Sequence, residues 1–114
     1  QVEHTVTEMI TGTDLVSLGI KVASGESINL IQDEIQIRGH AIQVRLNAEN
    51  PVTLSPSPGK IWECHWPGGP GVRIDTHAYT GYDMPASFDS LLAKLIVWAP
   101  TREESISKLK ASLN

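Results

Sequence analysis

Cysteine is almost absent from this chain, which has Cys64 alone among its 114 residues. A single cysteine cannot form an internal disulfide, so the composition suits a reducing compartment, and we expect the cytoplasm, or the mitochondrial matrix or a plastid in a eukaryotic source. No run of about 18 apolar residues occurs, so we expect no membrane partner. No initiator methionine and no signal or transit peptide are visible, and we expect that the true N-terminus of a larger protein is missing from this sequence.

An excess of positive charge is missing too. The chain has nine lysines and arginines and 13 aspartates and glutamates, which gives a formal net charge of −4. It therefore offers no excess of positive charge to attract nucleic acid. The four histidines and Cys64 do not follow a zinc spacing such as C-x2-C or H-x3-H, and we predict no metal site among them. At this length about two thirds of the unfolded surface can be buried, which is enough for one domain, or for one domain with part of another.

Helix signals stand near both ends of the sequence. Near the start, residues 6–10 predict a short helical turn before Gly12, and Asp14 supplies N-cap chemistry for an amphipathic helix that Gly25 ends. Near the other end, Thr101 and Glu104 form a capping box. The residues predicted to form the buried stripe of that last helix are Ile106, Leu109 and Leu113.

Between the helices the apolar period changes to two, which predicts strands. Ile35 and Ile37 differ in parity from the apolar residues at positions 42, 44 and 46, so one residue must be absorbed near Gly39, where a bend is least costly. If the second apolar set faces the core, Gln43 and Arg45 share the opposite face.

Three further strands are predicted, over residues 60–66, 72–79 and 91–98. The last is apolar except for Lys94, which is typical of a central strand covered on both sides. Trp62 is expected to pack in the core or at a sheet edge. The prediction is an α+β fold, mostly antiparallel, with helices at both ends.

Five blocks of residues together resemble one known family, and they are collinear over nearly the whole chain. The blocks are Gln1-Val2-Glu3-His4-Thr5-Val6-Thr7-Glu8-Met9, Arg38 to Glu49, Pro56 to Ile61, Pro67 to Arg73, and Phe88 to Val97. The chain is similar to the C-terminal part of biotin carboxylase. The resemblance implies that residues 1–33 are the tail of an ATP-grasp domain and that residues 34–114 belong to the β-rich C-terminal domain.

The resemblance also implies a reaction. Enzymes of this family use ATP to activate bicarbonate and then carboxylate a ureido nitrogen of biotin on a carrier. Glu3 matches the general base that deprotonates bicarbonate, with Gln1 and the backbone of Val2 helping to hold that anion. Its place beside His4 suggests the end of an active-site strand. Without the resemblance, a lone glutamate near a chain end is most often a solvated charge.

Two arginines match family positions as well. Arg45 corresponds to the residue that stabilises the negative ureido oxygen of biotin, as an oxyanion hole would; its ordinary alternative is a surface salt bridge. Arg73 matches a residue of the biotin pocket or of the subunit interface, and its alternative is pairing with Asp75 or Asp89. Many relatives carry glutamate where Gln43 stands in this chain.

The resemblance further implies cofactors and partners. ATP and Mg²⁺ would be bound mainly by residues outside this chain, and biotin would arrive on a carrier domain or protein. A carboxyltransferase component and a homodimer of the full enzyme are the other implied partners. The final carboxyl acceptor, such as acetyl-CoA, propionyl-CoA, pyruvate or urea, stays open. The competing hypothesis is a non-catalytic module for dimerisation or carrier docking that kept the fold.

Overall fold

The computed structural model describes all 114 residues, which form three α-helices, one short 3-10 helix and five strands. The helices are α1 (His4–Thr11), α2 (Leu15–Ala23) and α3 (Arg102–Leu113), and the 3-10 helix is Gln32–Glu34. The strands are β1 (His40–Asn47), β2 (Gly59–Lys60), β3 (Val72–Thr76), β4 (Asp83–Met84) and β5 (Leu91–Ala99). The predicted α+β class with antiparallel strands is confirmed. None of the helices is long and apolar enough to cross a membrane.

The main sheet has three antiparallel strands in the order β1, β5, β3, so the last strand in sequence lies in the middle. Its apolar run explains that position, because a strand covered on both faces needs apolar residues on both. Leu95, Ile96 and Val97 are fully buried, as the prediction of a central strand required. A two-stranded sheet of β2 and β4 stands apart.

The register divides the side chains of the main sheet between two faces. Residues directly opposite one another in antiparallel strands point the same way. One face carries Ile42, Val44 and Leu46 with their apolar partners on β5, as predicted. The other face, called the polar face below, carries the following charged and amide side chains: Gln43 and Arg45 of β1, Lys94 of β5, and Arg73 and Asp75 of β3.

Helix α1 lies against the polar face. Thr5 is fully buried, and its hydroxyl donates a hydrogen bond to the side-chain oxygen of Gln43. At the other end of the helix, the Arg38 amide donates to the carbonyl of Ile10 over 2.8 Å. Gly12 ends the helix in a left-handed conformation, with its amide bonded to a carbonyl of the helix. The prediction of a short helix before Gly12 is therefore confirmed.

Helix α2 is capped as predicted but packs less well. The Asp14 carboxylate accepts a hydrogen bond of 2.8 Å from the Ser17 amide. Leu15 and Leu18 are half-buried as the predicted amphipathic helix requires, whereas Val16 and Ile20 are 54% and 67% exposed, so the helix also leaves an exposed apolar stripe that faces away from the rest of the chain.

Helix α3 begins with the predicted capping box, and its inner face differs in one residue from the prediction. Ile106 and Leu109 are half-buried as expected, whereas Leu113 is 52% exposed. The fully buried residue is Ser105, whose hydroxyl donates over 2.8 Å to the carbonyl of the first residue of β1. Ser112 is half-buried in place of Leu113, because a residue seven positions after Ser105 returns to the same side of a helix.

The bend predicted near Gly39 is present, but no strand precedes it. Gly39 has φ +65°, and a Cβ there would lie 2.5 Å from the carbonyl oxygen of Ala99. Trp98 fixes this approach by donating its indole N–H to the Arg38 carbonyl over 2.8 Å. Ile37 is 74% exposed, so the alternation before Gly39 does not reflect a half-buried strand.

The strand predicted over residues 60–66 was too long. Only Gly59–Lys60 pairs with β4, and the Cys64 amide then bonds to the Thr80 hydroxyl instead of a strand partner. Trp62 was expected to pack in the core or at an edge, yet it is exposed, with the Lys60 ammonium 5.2 Å from its ring centre.

The strand predicted over residues 72–79 was too long as well. Strand β3 ends at Thr76, whose hydroxyl donates to the Leu92 carbonyl and accepts from the Ala78 amide. A side chain of the strand thus takes over hydrogen bonds that would otherwise continue the ladder.

Candidate functional site

Three charged residues cross the polar face in a row. The register sets Arg45 of β1 opposite Lys94 of β5, and Lys94 opposite Asp75 of β3. Arg73 lies two residues before Asp75 on the same strand and therefore on the same face. This face thus holds three cations and one carboxylate of its own, and the surplus of positive charge suits an anion.

Arg73 is the most strongly bound of these cations. Its Nε and Nη2 donate to the two carboxylate oxygens of Asp75 over 2.7 and 2.9 Å, and its Nη1 donates to Glu8 over 2.6 Å. Pairing with Asp75 was one of the two expected outcomes. Asp89, the other expected carboxylate, instead accepts from the Leu91 amide over 3.0 Å. All three guanidinium nitrogens of Arg73 are therefore used within the chain.

The ion pairs shift the pKa values of both carboxylates. The hydrogen bonds from Arg73 lower the pKa of Asp75, with help from the charges of Arg73 and Lys94, and they outweigh the effect of burial. Burial raises the pKa of Glu8, but hydrogen bonds from Arg73 and from the Leu15 amide bring it below the usual value. The pKa of Arg73 is raised by its hydrogen bonds to Asp75 and Glu8. The three groups consequently stay charged over the whole neutral range.

Arg45 forms no ion pair and no side-chain hydrogen bond, in contrast to Arg73. The alternative that Arg45 serves in a surface salt bridge therefore finds no partner in this chain. Its cross-strand neighbour Lys94 is also a cation, with a side chain only 14% exposed and its ammonium 3.7 Å from Asp75. Like charges directly opposite one another destabilise a sheet. An exposed arginine kept beside a second cation is a local conflict of the kind found at binding sites.

Glu3 lies at the turn that leads into α1, in a helical backbone conformation, and not at the end of a strand as expected. Its carboxylate is exposed and accepts no hydrogen bond in this chain. Glu3 borders an open hollow of about 560 Å³. The backbone carbonyl of Gln1 is held by the His4 ring over 2.7 Å. The hollow is lined by Gln1, Glu3, His4, Thr7, Leu15 and Val16.

Helix α1 is what relates Glu3 to Arg45. Thr5, two residues after Glu3, is bonded to Gln43, which lies two residues before Arg45 on the polar face. The first turn of α1 therefore lies over the strand that carries Arg45. Arg45 does not line the hollow beside Glu3. The two predicted catalytic residues thus share one side of the sheet but not one cavity of this chain.

Two residues of this region were missed by the sequence analysis as parts of the site. Glu8 connects α1 to Arg73 across 65 positions, and nothing in its sequence neighbourhood indicates that partner. In the sequence Lys94 is conspicuous only as the polar exception in an apolar strand. Because a charged residue inside a central strand must find a partner or a function, that exception was a usable signal.

The chain has no group of three or more histidine, cysteine, aspartate or glutamate side chains arranged to hold a metal ion. The carboxylates of Glu8 and Asp75 are each bonded to Arg73, which removes them as ligands. A magnesium ion would thus find no ready set of oxygen ligands among these residues.

The fold is of the α+β class, and an exposed carboxylate at the start of α1 lies on the same side of the sheet as an arginine that has no partner in this chain. Family comparison agrees with this class and refines it. Residues 43–114 match the biotin carboxylase C-terminal domain, and residues 1–31 match the ATP binding domain of the carbamoyl-phosphate synthase L chain. The chain belongs to the biotin carboxylase family.

Individual relatives give the same result. The chain is 53% identical to the biotin carboxylase of Allochromatium vinosum, over 96% of this chain and 24% of that protein. It is 50% identical to biotin carboxylase 1 of Bacillus subtilis, over 100% of this chain and 26% of that protein. The chain thus spans about a quarter of the length of the curated relatives it matches.

Solved structures match over the same extent. The biotin carboxylase domain dimer of the Hydrogenobacter thermophilus 2-oxoglutarate carboxylase, in complex with MgADP, ADP and bicarbonate, superimposes with a TM-score of 0.95 at 44% identity. The match covers 99% of this chain and 25% of that one. The biotin carboxylase of Campylobacter jejuni gives a TM-score of 0.92 at 44% identity, over 99% and 25% of the two chains.

Proposed function

We propose that this chain forms part of a biotin carboxylase, which uses ATP and bicarbonate to carboxylate a ureido nitrogen of carrier-bound biotin. Family membership and the complex of a relative with MgADP and bicarbonate support this assignment. The single observation that carries it is the state of Arg45, an arginine without a carboxylate partner on the side of the sheet that α1 approaches. The chain on its own is proposed to be inactive, because it spans only a quarter of its relatives.

Glu3 is proposed as the general base that takes the proton of bicarbonate. An exposed carboxylate that no donor of the chain occupies is free to accept a proton, and the adjacent hollow gives a small anion room to approach. Gln1 and the backbone of Val2 are proposed to hold that anion. Because the Gln1 carbonyl is bonded to His4, the Gln1 side chain and the Val2 amide are the groups left for this task.

Arg45 is proposed to stabilise the negative charge that develops on the ureido oxygen when the biotin nitrogen loses its proton. A guanidinium offers several N–H donors in a fixed plane and stays charged at any pH of interest. The neighbouring Lys94 raises the local positive potential, which favours the anionic form of the substrate. This contact between Arg45 and the ureido oxygen contributes to catalysis because it strengthens as negative charge develops on that oxygen.

Magnesium and ATP do not fit the residues of this chain alone, since no acidic cluster is available to hold the metal. We assign their binding to the part of the enzyme outside this sequence. We propose that the domain boundary lies near Asp33 and that residues 1–33 are the tail of an ATP-grasp domain. The exposed stripe of α2, with Val16 and Ile20, is where the rest of that domain is proposed to pack.

The partners are proposed from the same assignment: a biotin carboxyl carrier, a carboxyltransferase component and a second copy of the full enzyme. Arg73 is proposed to contribute to the biotin pocket or to the contact between the two copies, since its side chain keeps 33% of its surface exposed. A cytoplasmic location is proposed, or an organelle in a eukaryotic source; the Arabidopsis thaliana relative is described as chloroplastic.

The test uses the complete enzyme and biotin-dependent ATP hydrolysis. Glu3→Gln and Arg45→Ala should each lower kcat by roughly 10²-fold, as expected for the loss of a base or of an oxyanion donor. Glu63→Gln and Arg102→Ala serve as matched controls, because both residues are exposed and make no side-chain hydrogen bond or ion pair. Turnover in Glu3→Gln and Arg45→Ala equal to that of the controls would show that neither residue acts in catalysis.

A further inference from the structure

Glu8 lies at a junction of three elements. Its Oε2 accepts a hydrogen bond of 2.6 Å from Arg73 of β3, and its Oε1 accepts one of 3.0 Å from the Leu15 amide at the start of α2. The side chain is 10% exposed. One carboxylate of α1 thus fixes both the sheet below the helix and the next helix along the chain, by hydrogen bonds that its negative charge strengthens.

The ion pairs continue from Glu8 across the sheet. Arg73 binds Asp75 through two parallel hydrogen bonds, and Asp75 lies 3.7 Å from the Lys94 ammonium. Lys94 in turn is the cross-strand neighbour of Arg45. Charges alternate in sign from Glu8 through Arg73 and Asp75 to Lys94, and these four residues are called the ion chain below. It runs from the middle of α1 to the residue beside the unpaired arginine.

Helix α1 depends on such external contacts. It has only eight residues, and a helix of that length is marginal without tertiary packing. Thr5 and Glu8 are three residues apart and therefore lie on one side of the helix. Thr5 bonds to Gln43 of β1, whereas Glu8 bonds to Arg73 of β3. With both contacts the helix is held at two strands, whereas without Glu8 its remaining hydrogen bonds to the sheet lead only to β1 and to Arg38 just before it, so the helix can pivot about that side of the sheet.

Glu3 lies at the N-terminal end of α1, which would move if the helix pivoted. It precedes the first residue of α1 directly, and its own side chain makes no hydrogen bond or ion pair that would fix it. The helix therefore sets the position of the Glu3 backbone, and with it the region that the carboxylate can reach. A pivot of α1 would move Glu3 relative to the polar face, where Arg45 lies. Misplacing a reacting group by about 1 Å can cost roughly 10²-fold in rate.

We infer that Glu8 is a positioning residue for the reaction: through the ion chain it fixes the placement of Glu3 relative to Arg45. The inference rests on the proposed function, since it assigns Glu8 a task that exists only if Glu3 is the base. Both carboxylate oxygens of Glu8 already accept hydrogen bonds, from Arg73 and from the Leu15 amide, so Glu8 is assigned no contact with the substrate.

The experiment is a double-mutant cycle in the complete enzyme, with Glu8→Gln, Glu3→Gln and the two together. Glu8→Gln keeps an oxygen for the Leu15 amide but loses the charge that Arg73 binds. It should lower kcat for biotin-dependent ATP hydrolysis by roughly 10- to 100-fold, with the KM for ATP unchanged. In the Glu3→Gln background the same substitution should change kcat by less than about twofold, because a base that is absent cannot be misplaced. Glu63→Gln is the matched control in both backgrounds.

Each outcome decides between the roles. An equal loss from Glu8→Gln in both backgrounds would show that Glu8 only supports the fold and would overturn the inference, while leaving Glu3 as the base. Full activity of Glu3→Gln would overturn the proposed function, and the inference with it. If Glu8→Gln fails to fold, Glu8→Asp takes its place, since it keeps the charge but is too short to reach both partners. A smaller loss of kcat is then expected, again only when Glu3 is present.

Discussion

Replacing Gly39 by alanine should destabilise the fold by about 2–5 kcal/mol. The left-handed φ of +65° costs a residue with a Cβ about 1–2 kcal/mol. That Cβ would also lie 2.5 Å from the Ala99 carbonyl oxygen and 2.7 Å from the Trp98 indole nitrogen. Neither atom can move easily, because the Ala99 oxygen belongs to the backbone of the central strand and the Trp98 nitrogen donates to the Arg38 carbonyl. Overpacking of this kind adds about 1–3 kcal/mol to the cost.

Gly12 offers a matched control for this prediction. Its φ is +70°, but a Cβ there would meet nothing within 4 Å, so Gly12→Ala carries the backbone cost alone. The free energies of unfolding of both variants can be measured by urea denaturation followed by far-UV circular dichroism. Gly39→Ala should lose about 1–3 kcal/mol more than Gly12→Ala. Equal losses would refute the steric argument, because backbone strain would then account for the whole effect.

The remaining predictions concern the charges on the polar face. The pKa values of Glu8 and Asp75 are lowered by folding, so the stability they contribute is complete above their unfolded values near pH 4 and is lost as the pH falls below that range. Arg73→Met should reduce the free energy of unfolding at neutral pH by about 1–3 kcal/mol and flatten its decline in acid, measured by urea unfolding at several pH values. An unchanged acid dependence would contradict that linkage. Lys94→Met should raise the free energy of unfolding slightly, by less than about 1 kcal/mol, because Lys94 lies opposite the cation Arg45. A loss above about 2 kcal/mol would instead mean that the contact between Lys94 and Asp75 is strong.

Local chemistry made much of the fold predictable. Asp14 and Thr101 cap their helices as their positions suggest, and Gly12 ends α1. The apolar run of β5 identified the central strand. The change of parity around Gly39 correctly placed Arg45 on the face away from the apolar residues of β1. In each case the information lies within a few residues of the feature.

What could not be predicted depends on contacts between distant segments. Glu8 and Arg73 are 65 positions apart, and only the packing of α1 across the sheet makes them partners. The strand expected over residues 60–66 is replaced by a bond between the Cys64 amide and the Thr80 hydroxyl, a side chain that competes with the ladder. The placement of Glu3 at a turn has a local cause instead, because α1 begins at the next residue, earlier than the helical turn predicted over residues 6–10.

The middle position of the last strand also has a consequence for synthesis on the ribosome. Neither β1 nor β3 has a partner in the three-stranded sheet until β5 is made, because the two are joined only through it. At about 5–20 residues per second, the first strand must wait for several seconds with its hydrogen-bonding edges bare. During translation β1 and β3 therefore expose unpaired strand edges of the kind that promote aggregation, and a chain stopped before residue 91 would lack the strand that joins them.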